Sequence, residues 1–229
     1  MIVRFHVDAV LFDIDGTLVD STAAVVRSWT AWAARYGLDA EEILRVCHGR
    51  RSEDTIAGFL PVGEQAAGVA ALAELELADL DDVVALPATR ALLRDLPADR
   101  WAAVTSGSRV LMRARLAAAG LPVPEVLVSA GDVSAGKPDP EGYLKAAAAL
   151  GYEITRCLVV EDAPAGIGAG RAAGAHTLAV ATSHPAVELA AADAVVPDLT
   201  ACTVERTADG LVVITTAGRA GPRPSWSGA

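Results

Sequence analysis

Short apolar runs and stretches with helical spacing alternate along most of the chain. Gly, Pro or Asp residues stand at most of the boundaries between them. This alternation is typical of a parallel sheet whose strands are connected by helices, so we predict an α/β fold. The predicted strands are residues 8–13, 101–105, 125–128, 156–160 and 176–180.

The pattern changes between residues 19 and 85. No strand-like run occurs there, and apolar residues recur at helical spacing on a helix predicted to begin at Ser21 and end at Gly37. We therefore predict a helical insertion after the first strand, with its aromatic stripe forming a core. That stripe consists of Val25, Trp29, Trp32 and Tyr36.

The C-terminal region returns to strand-like patterns. After a short apolar run at residues 194–196, two β-rich runs within 203–215 flank Asp209-Gly210, which predicts a hairpin. Residues 217–229 are rich in Gly, Pro and Ser, so we predict a disordered tail there.

Composition and charge narrow the possible partners. Of the 229 residues, 52% are hydrophobic but only 4% are aromatic, so the interior must consist largely of Ala, Val and Leu. The formal net charge of -10, with no basic stripe, argues against binding to nucleic acid or to an anionic membrane. An anionic substrate must therefore be held by local positive groups.

The cysteines and the hydropathy of the chain indicate its cellular compartment. Three widely spaced cysteines, Cys47, Cys157 and Cys202, predict free thiols in a reducing environment. No signal-peptide pattern or membrane-spanning run is found. We expect a soluble cytoplasmic protein that is a monomer or a weak homodimer.

Two carboxylates directly follow the first predicted strand. Asp13 and Asp15 are separated by one residue and are followed by Gly16. If the apolar run is a buried strand, both acids emerge at its C-terminal end, where a divalent cation could compensate their charges. A pair of solvated acids in a loop is the alternative, and this motif alone leaves it open.

Three further polar groups each follow a predicted strand, and the carboxyl ends of parallel strands meet at one edge. The run 105–108, before a helix, can bind an oxyanion, and Lys137 in a proline-rich loop can neutralise a phosphoryl group. Asp162, with Glu161 beside it, can complete the oxygen shell of Mg²⁺. Taken singly, the 105–108 run and Asp162 could be ordinary helix caps, and Lys137 could be a surface lysine. Because all of these groups follow strands of one sheet in chain order, together they predict one site.

With these residues the chain resembles the haloacid dehalogenase superfamily, in its phosphatase branch with a helical cap. Asp13-Ile14-Asp15-Gly16-Thr17 matches the first motif, Thr105 the second, Lys137 the third and Glu161-Asp162 the fourth. The likeness runs from residue 7 to 215 and is closest to bacterial sugar-phosphate phosphatases, including those acting on hexitol and deoxy-sugar phosphates. The stretch His48-Gly49-Arg50-Arg51 contributes to it.

The resemblance implies a Rossmann-like parallel sheet core with helices on both faces and an inserted α-helical cap domain. Residues 1–18 and 86–216 would form the core, residues 19–85 the cap domain, and 217–229 the tail. It also implies Mg²⁺-dependent hydrolysis of a small phosphate monoester, with a sugar or sugar-alcohol phosphate as the expected substrate.

The family's residue roles carry over by motif position. Asp13 would attack phosphorus and form an aspartyl-phosphate, while Asp15 would act as general acid and then as general base. Mg²⁺ would be held by Asp13, the backbone carbonyl of Asp15 and Asp162, with Glu161 as a ligand or an indirect partner. Thr17 is expected to orient Asp15.

Substrate contacts are implied in both lobes. The transferring oxygens would be stabilised by Thr105, by the amides of Ser106 and Gly107, and by Lys137. Selection of the substrate would fall to the insertion, because the core binds only phosphate. Its candidate residues are His48, Arg50 and Arg51.

Other activities on the same fold are the competing hypotheses. Residues 19–85 contain no lysine, which argues against a β-phosphoglucomutase-like phosphotransferase and a phosphonoacetaldehyde hydrolase, because their relatives use a cap lysine. A dehalogenase would not need the acid at Asp15. A catalytically silent binding protein is disfavoured because all the core acids are present, but it stays open, as does the mutase.

Overall fold

The computed structural model describes residues 2–216, which form alternating strands and helices. In chain order the strands are β1 (Val3–Val7), β2 (Ala9–Phe12), β3 (Val19–Asp20), β4 (Val84–Ala85), β5 (Trp101–Val104), β6 (Leu127–Val128), β7 (Cys157–Glu161), β8 (His176–Val180), β9 (Ala194–Val196), β10 (Cys202–Thr207) and β11 (Gly210–Thr215). The helices are α1 (Thr22–Tyr36), α2 (Ala40–Cys47), α3 (Ser52–Ile56), α4 (Val62–Ala78), α5 (Thr89–Asp95), α6 (Arg109–Ala118), α7 (Glu141–Leu150) and α8 (Pro164–Ala173).

A parallel sheet with the strand order β6-β5-β2-β7-β8-β9 forms the centre of the protein. Side chains of β2 alternate between its two faces: Ala9 and Leu11 pack with α7 and α8, whereas Val10 and Phe12 pack with α6. Both faces are therefore buried, which explains the uninterrupted apolar runs. The predicted α/β fold with helices on both faces is confirmed.

The helices α1 to α4 lie between β3 and β4 and share a hydrophobic cluster of their own. Trp29 and Trp32 are buried there in edge-to-face contact, and the Trp32 indole donates a hydrogen bond to the Gly68 carbonyl at 2.8 Å. The prediction that the tryptophans form a core is confirmed. The assignment of residues 19–85 as a separate cap domain stays a prediction.

Two short strands contradict the expectation that residues 19–85 contain no strand. β3 pairs with β4 antiparallel, with Val19 opposite Ala85 and Asp20 opposite Val84. This two-residue ribbon joins the ends of the helical insertion. A strand of two residues carries too little alternation to be recognised from the pattern.

A second sheet combines both ends of the described chain. β11 pairs antiparallel with β10, which confirms the predicted hairpin, and also pairs with β1. β1 was not predicted, and the strand predicted at residues 8–13 begins one residue later, at Ala9. The predicted tail, residues 217–229, lies outside the described residues.

The cysteines and the hydropathy of the helices bear on two of the predictions. Cys47, Cys157 and Cys202 are free thiols, as predicted, and the structure shows that all three are buried. Across residues 2–216, no helix combines the length and the hydropathy that crossing a membrane requires.

Candidate active site

Asp13 follows β2 at the carboxyl edge of the parallel sheet, and its side chain is buried. Its amide donates a hydrogen bond to the Val160 carbonyl at 3.0 Å, which fixes the backbone beside β7. Lys137 Nζ lies 2.5 Å from Asp13 Oδ1 and 2.6 Å from Glu161 Oε1. The structure therefore brings the first, third and fourth motif positions into contact.

The carboxylate of Glu161 is engaged by the protein on both oxygens. Its Oε1 accepts hydrogen bonds from Lys137 and, at 2.7 Å, from the Tyr143 hydroxyl. Its Oε2 accepts from the backbone amides of Asp162 and Ala163 at 3.1 and 3.4 Å. Because these bonds fix Glu161, the geometry favours an indirect role for it at a metal site over direct coordination.

Asp162 lies beside the turn that follows β2. Its Oδ1 accepts from the Thr17 hydroxyl at 3.4 Å, and its Oδ2 accepts from the Ser183 hydroxyl. Gly16 has a φ of +80°, and a Cβ at this position would collide with the Asp162 carboxylate. The expectation that Thr17 orients Asp15 is wrong, because its hydroxyl faces Asp162.

The charges of this cluster fit a divalent cation. Carboxylate oxygens of Asp13, Glu161 and Asp162 lie within 4.8 Å of one another, and all three residues are buried. Burial raises the pKa of Asp13 well above its usual range, despite Lys137, and together with Glu161 raises that of Asp162 to about 7.

The nearby lysine does not neutralise the cluster on its own. Burial alone would lower the pKa of Lys137, but the charges of Asp13 and Glu161 outweigh it and raise that pKa. One ammonium group thus faces three carboxylates when all are ionised. A hard divalent cation with oxygen ligands, such as Mg²⁺, matches both the donor atoms and the missing charge.

Asp15 is oriented by residues that the sequence analysis did not identify. Ser21 Oγ donates to Asp15 Oδ1 at 2.7 Å, and Arg115 Nη1 donates to Asp15 Oδ2 at 2.8 Å. Arg115 Nη2 also donates to Glu76 Oε1 at 3.2 Å. The available sequence signal was a charged residue inside an apolar helical stripe, as Arg115 is within α6 and Glu76 within α4.

The run after β5 has partly internal hydrogen bonds. The Gly107 amide donates to Thr105 Oγ1 at 3.0 Å, and Ser108 accepts from the Leu111 amide at 3.3 Å as the cap of α6. Ser106 Oγ donates to the Gly49 carbonyl at 2.9 Å and so links the core to the loop after α2. Thr105, Ser106 and Gly107 border the cleft in which Asp13 lies.

The three candidates from the insertion are placed differently. His48 and Arg50 line the cleft that contains Asp13. Desolvation lowers the pKa of His48, and the neighbouring His184 lowers it further. Arg51 instead forms a two-pronged ion pair with Asp54, at 2.7 and 2.8 Å, and lines a smaller cavity beside Lys137.

The cleft over Asp13 has a volume of about 740 Å³, counting the part open to solvent. Core residues form its floor and residues from α1, α2, α4 and the adjoining loops form its walls. The lining residues include Asp13, Asp15, Thr105 and Asp162 below, and Ser21, Trp29, His48, Arg50 and Glu76 above. Acids, hydroxyls and cations thus converge on a space suited to a small polar ligand.

Comparisons with known proteins agree with this geometry. Residues 7–174 match the model of a family described as a haloacid dehalogenase-like hydrolase. Hexitol phosphatase A of Escherichia coli (strain K12) is 44% identical over 210 residues, covering 89% of this chain and 97% of that protein.

Further relatives extend the comparison to another organism and to solved structures. The 2-deoxyglucose-6-phosphate phosphatase 1 of Saccharomyces cerevisiae is 36% identical, covering 92% of this chain and 96% of that protein. A crystal structure of β-phosphoglucomutase from Clostridium difficile superposes with a TM-score of 0.74, covering 84% of this chain and 91% of that one. At 22% identity, that structure supports the fold alone.

Proposed function

The chain belongs to the haloacid dehalogenase-like hydrolase family, and we propose that it hydrolyses the phosphate monoester of a sugar or sugar alcohol. The observation that carries this proposal is the contact of the buried Asp13 with the Lys137 ammonium, in a polar cleft that Asp13 and Asp162 both line. The names of the relatives, a hexitol phosphatase and a deoxy-sugar phosphate phosphatase, support the substrate class.

In the first half-reaction Asp13 acts as the nucleophile. Lys137 donates a hydrogen bond to Oδ1 of Asp13, and the Asp13 side chain borders the cleft where the ester would enter. The carboxylate oxygen forms a bond to phosphorus as the bond between phosphorus and the ester oxygen breaks, giving an aspartyl-phosphate. Asp15 transfers its proton to the departing oxygen, so the alcohol leaves neutral.

In the second half-reaction Asp15 acts as a base. It removes a proton from a water molecule, whose oxygen attacks phosphorus and releases inorganic phosphate and the free Asp13 carboxylate. Lys137 and the Thr105 region stabilise the negative oxygens in both steps.

Asp13, Asp162 and the backbone carbonyl of Asp15 would hold Mg²⁺, with Glu161 oriented behind them by Tyr143. Bound Mg²⁺ supplies positive charge that lets an anionic nucleophile approach an anionic phosphate. Lys137 binds Oδ1 of Asp13 and so limits the directions from which this carboxylate can attack.

The insertion selects the alcohol part of the substrate in this proposal. His48 and Arg50 stand above the floor of the cleft and can donate hydrogen bonds to substrate hydroxyls, whereas Trp29 offers an apolar wall. Arg51, which pairs with Asp54 and lies within 3.4 Å of the Val133 and Ser134 carbonyls, instead joins α3 to the loop that carries Lys137.

The nucleophile assignment has a direct test. The Asp13→Asn variant keeps the shape of the side chain but loses the anionic nucleophile, so we expect turnover of a hexitol phosphate to fall at least ~10³-fold. Phosphate release is measured with Mg²⁺ and with a chelator in its place. The exposed Asp81→Asn serves as the control and is expected to retain full activity. An active Asp13→Asn would refute the assignment.

A further inference from the structure

Asp15 is held at both carboxylate oxygens, by Ser21 at 2.7 Å and by Arg115 at 2.8 Å. Its side chain is 28% exposed and borders the cleft, whereas that of Arg115 is only 3% exposed. Arg115 therefore contacts Asp15 at the margin of the same cleft, and part of the Asp15 side chain stays accessible to a ligand.

Arg115 links two parts of the chain. It projects from α6, which follows β5 of the central sheet, and its Nη2 reaches Glu76 of α4, in the helical insertion. Glu76 is itself only 11% exposed. Asp15, Arg115 and Glu76 thus form a chain of two ion pairs that extends from the carboxyl edge of the sheet to the insertion.

Stability does not explain this arrangement. Burying a guanidinium is costly, and replacing a buried ion pair by apolar side chains is often neutral or stabilising. Position 115 lies among Leu111, Met112 and Leu116, where an apolar residue would continue the stripe. Arg115 Nε has no hydrogen-bond partner within residues 2–216. Complete hydrogen bonding of the guanidinium therefore does not explain the arginine either.

We infer that Arg115 and Glu76 are positioning residues for Asp15. Arg115 fixes the direction of the Asp15 carboxyl group toward the departing oxygen, and Glu76 fixes Arg115. The rigid fork of a guanidinium suits this task, because two neighbouring nitrogens bind two acids in a set geometry. The acid/base group is then fully positioned only when α4 packs against α6. This inference rests on the proposed function, in which Asp15 is the acid.

The leaving group of the substrate separates positioning from a general structural role. An alkyl ester needs a proton on its departing oxygen, whereas the phenolate of p-nitrophenyl phosphate leaves without one. Both esters require the same attack by Asp13 and the same phosphate contacts. Since kcat/KM reports the steps up to the first irreversible one, it isolates the acid role of Asp15 from its later base role.

The experiment compares Arg115→Met and Glu76→Leu on a hexitol phosphate and on p-nitrophenyl phosphate. For Arg115→Met we expect kcat/KM to fall at least ~100-fold on the alkyl ester and less than ~5-fold on the aryl ester. For Glu76→Leu we expect a smaller, roughly 10-fold loss on the alkyl ester alone. Glu76→Gln keeps an acceptor for Arg115 and should restore most of that loss. The double variant should be no worse than Arg115→Met, because Glu76 acts through Arg115.

Arg113→Met and Glu74→Leu are the matched controls, since both residues are exposed on the same two helices. Equal losses on the two esters, or no loss on either, would overturn the inference while leaving the phosphatase in place. A wild-type protein that hydrolyses neither ester would overturn the proposed function itself. If Arg115→Met fails to fold, the comparison of Glu76→Leu with Glu76→Gln decides, and similar alkyl-ester rates for the two would overturn the inference.

Discussion

Gly166 leaves room for the carboxylate of Glu161. A Cβ at position 166 would fall well inside the van der Waals radius of that carboxylate. The glycine lies in α8 without a positive φ, so helix propensity alone would favour alanine there. The absence of a side chain therefore serves the Lys137, Tyr143 and Glu161 hydrogen bonds.

We expect Gly166→Ala to lower activity although it raises helix propensity. Displacing Glu161 should loosen Lys137 and Asp13, and we expect kcat/KM to fall about 10- to 100-fold, as for the loss of other groups that orient metal ligands. Gly63→Ala in α4 is the control, because a Cβ there meets nothing within 4 Å. That variant should keep its activity and gain up to ~1 kcal/mol of stability. Unchanged activity in Gly166→Ala would contradict the role given to Glu161.

Residues that follow strands were predictable, whereas their partners in space were not. Asp13 and Asp162 directly follow β2 and β7, and Lys137 lies in the loop between β6 and α7, so strand order places all three near one edge of the sheet. Arg115 and Glu76 are visible in the sequence only as charges within apolar stripes. Which acids Arg115 contacts depends on how α4 packs against α6. The spacing of apolar residues along the sequence does not predict that packing.

Helix α4 contains a buried acid, Glu76, which contacts Arg115 of α6. Burial raises the pKa of Glu76 to about 7, although Arg115 opposes the shift, from the ordinary value of 4.5. Between pH 4.5 and about pH 7, Glu76 keeps its proton in the folded protein but has lost it in the unfolded chain. Raising the pH through this window therefore lowers the free energy of unfolding.

This pH dependence should disappear in Glu76→Gln, which does not titrate. We expect the wild type to lose up to about 3 kcal/mol of stability relative to Glu76→Gln between pH 5 and pH 8. Urea unfolding at several pH values measures the difference. Glu74→Gln, exposed on the same helix, should show a constant difference from the wild type. A wild type that instead gains stability relative to Glu76→Gln across this range would contradict the raised pKa.

The main elements were predictable because their patterns are long. Strands of the central sheet were recognised from apolar runs, and α1 from a stripe with clear ends at Ser21 and Gly37. β3 and β4 have two residues each, too few for a pattern, and β1 alternates charged and apolar residues over only five. Their formation depends on distant pairing partners, which local propensity does not reveal.

The balance of charge in the whole molecule connects stability with metal binding. The buried carboxylates of Asp13, Glu161 and Asp162 repel one another when ionised, and a divalent cation bound to the folded state relieves that repulsion. We expect Mg²⁺ at about 100 times its dissociation constant to add ~2.7 kcal/mol of stability. Thermal unfolding with Mg²⁺, and then with excess chelator, measures this gain.

Asp162→Asn is the informative variant for that measurement. It removes one charged oxygen ligand, so most of the stabilisation by Mg²⁺ should be lost, while the protein without Mg²⁺ should be at least as stable as the wild type. Asp81→Asn, with its side chain outside the cleft, should respond to Mg²⁺ as the wild type does. An equal response in Asp162→Asn would argue against the proposed ligand set.

The ladder between β1 and β11 has a consequence for how the chain is made. Val3 lies opposite Thr215, and Val7 lies opposite Leu211, so this pairing has almost the largest sequence separation possible in the described chain. During synthesis β1 has no pairing partner until residues 211–215 of β11 have left the ribosome. Loop closure over such a distance is slow, so the second sheet should be completed last, after the parallel sheet has assembled.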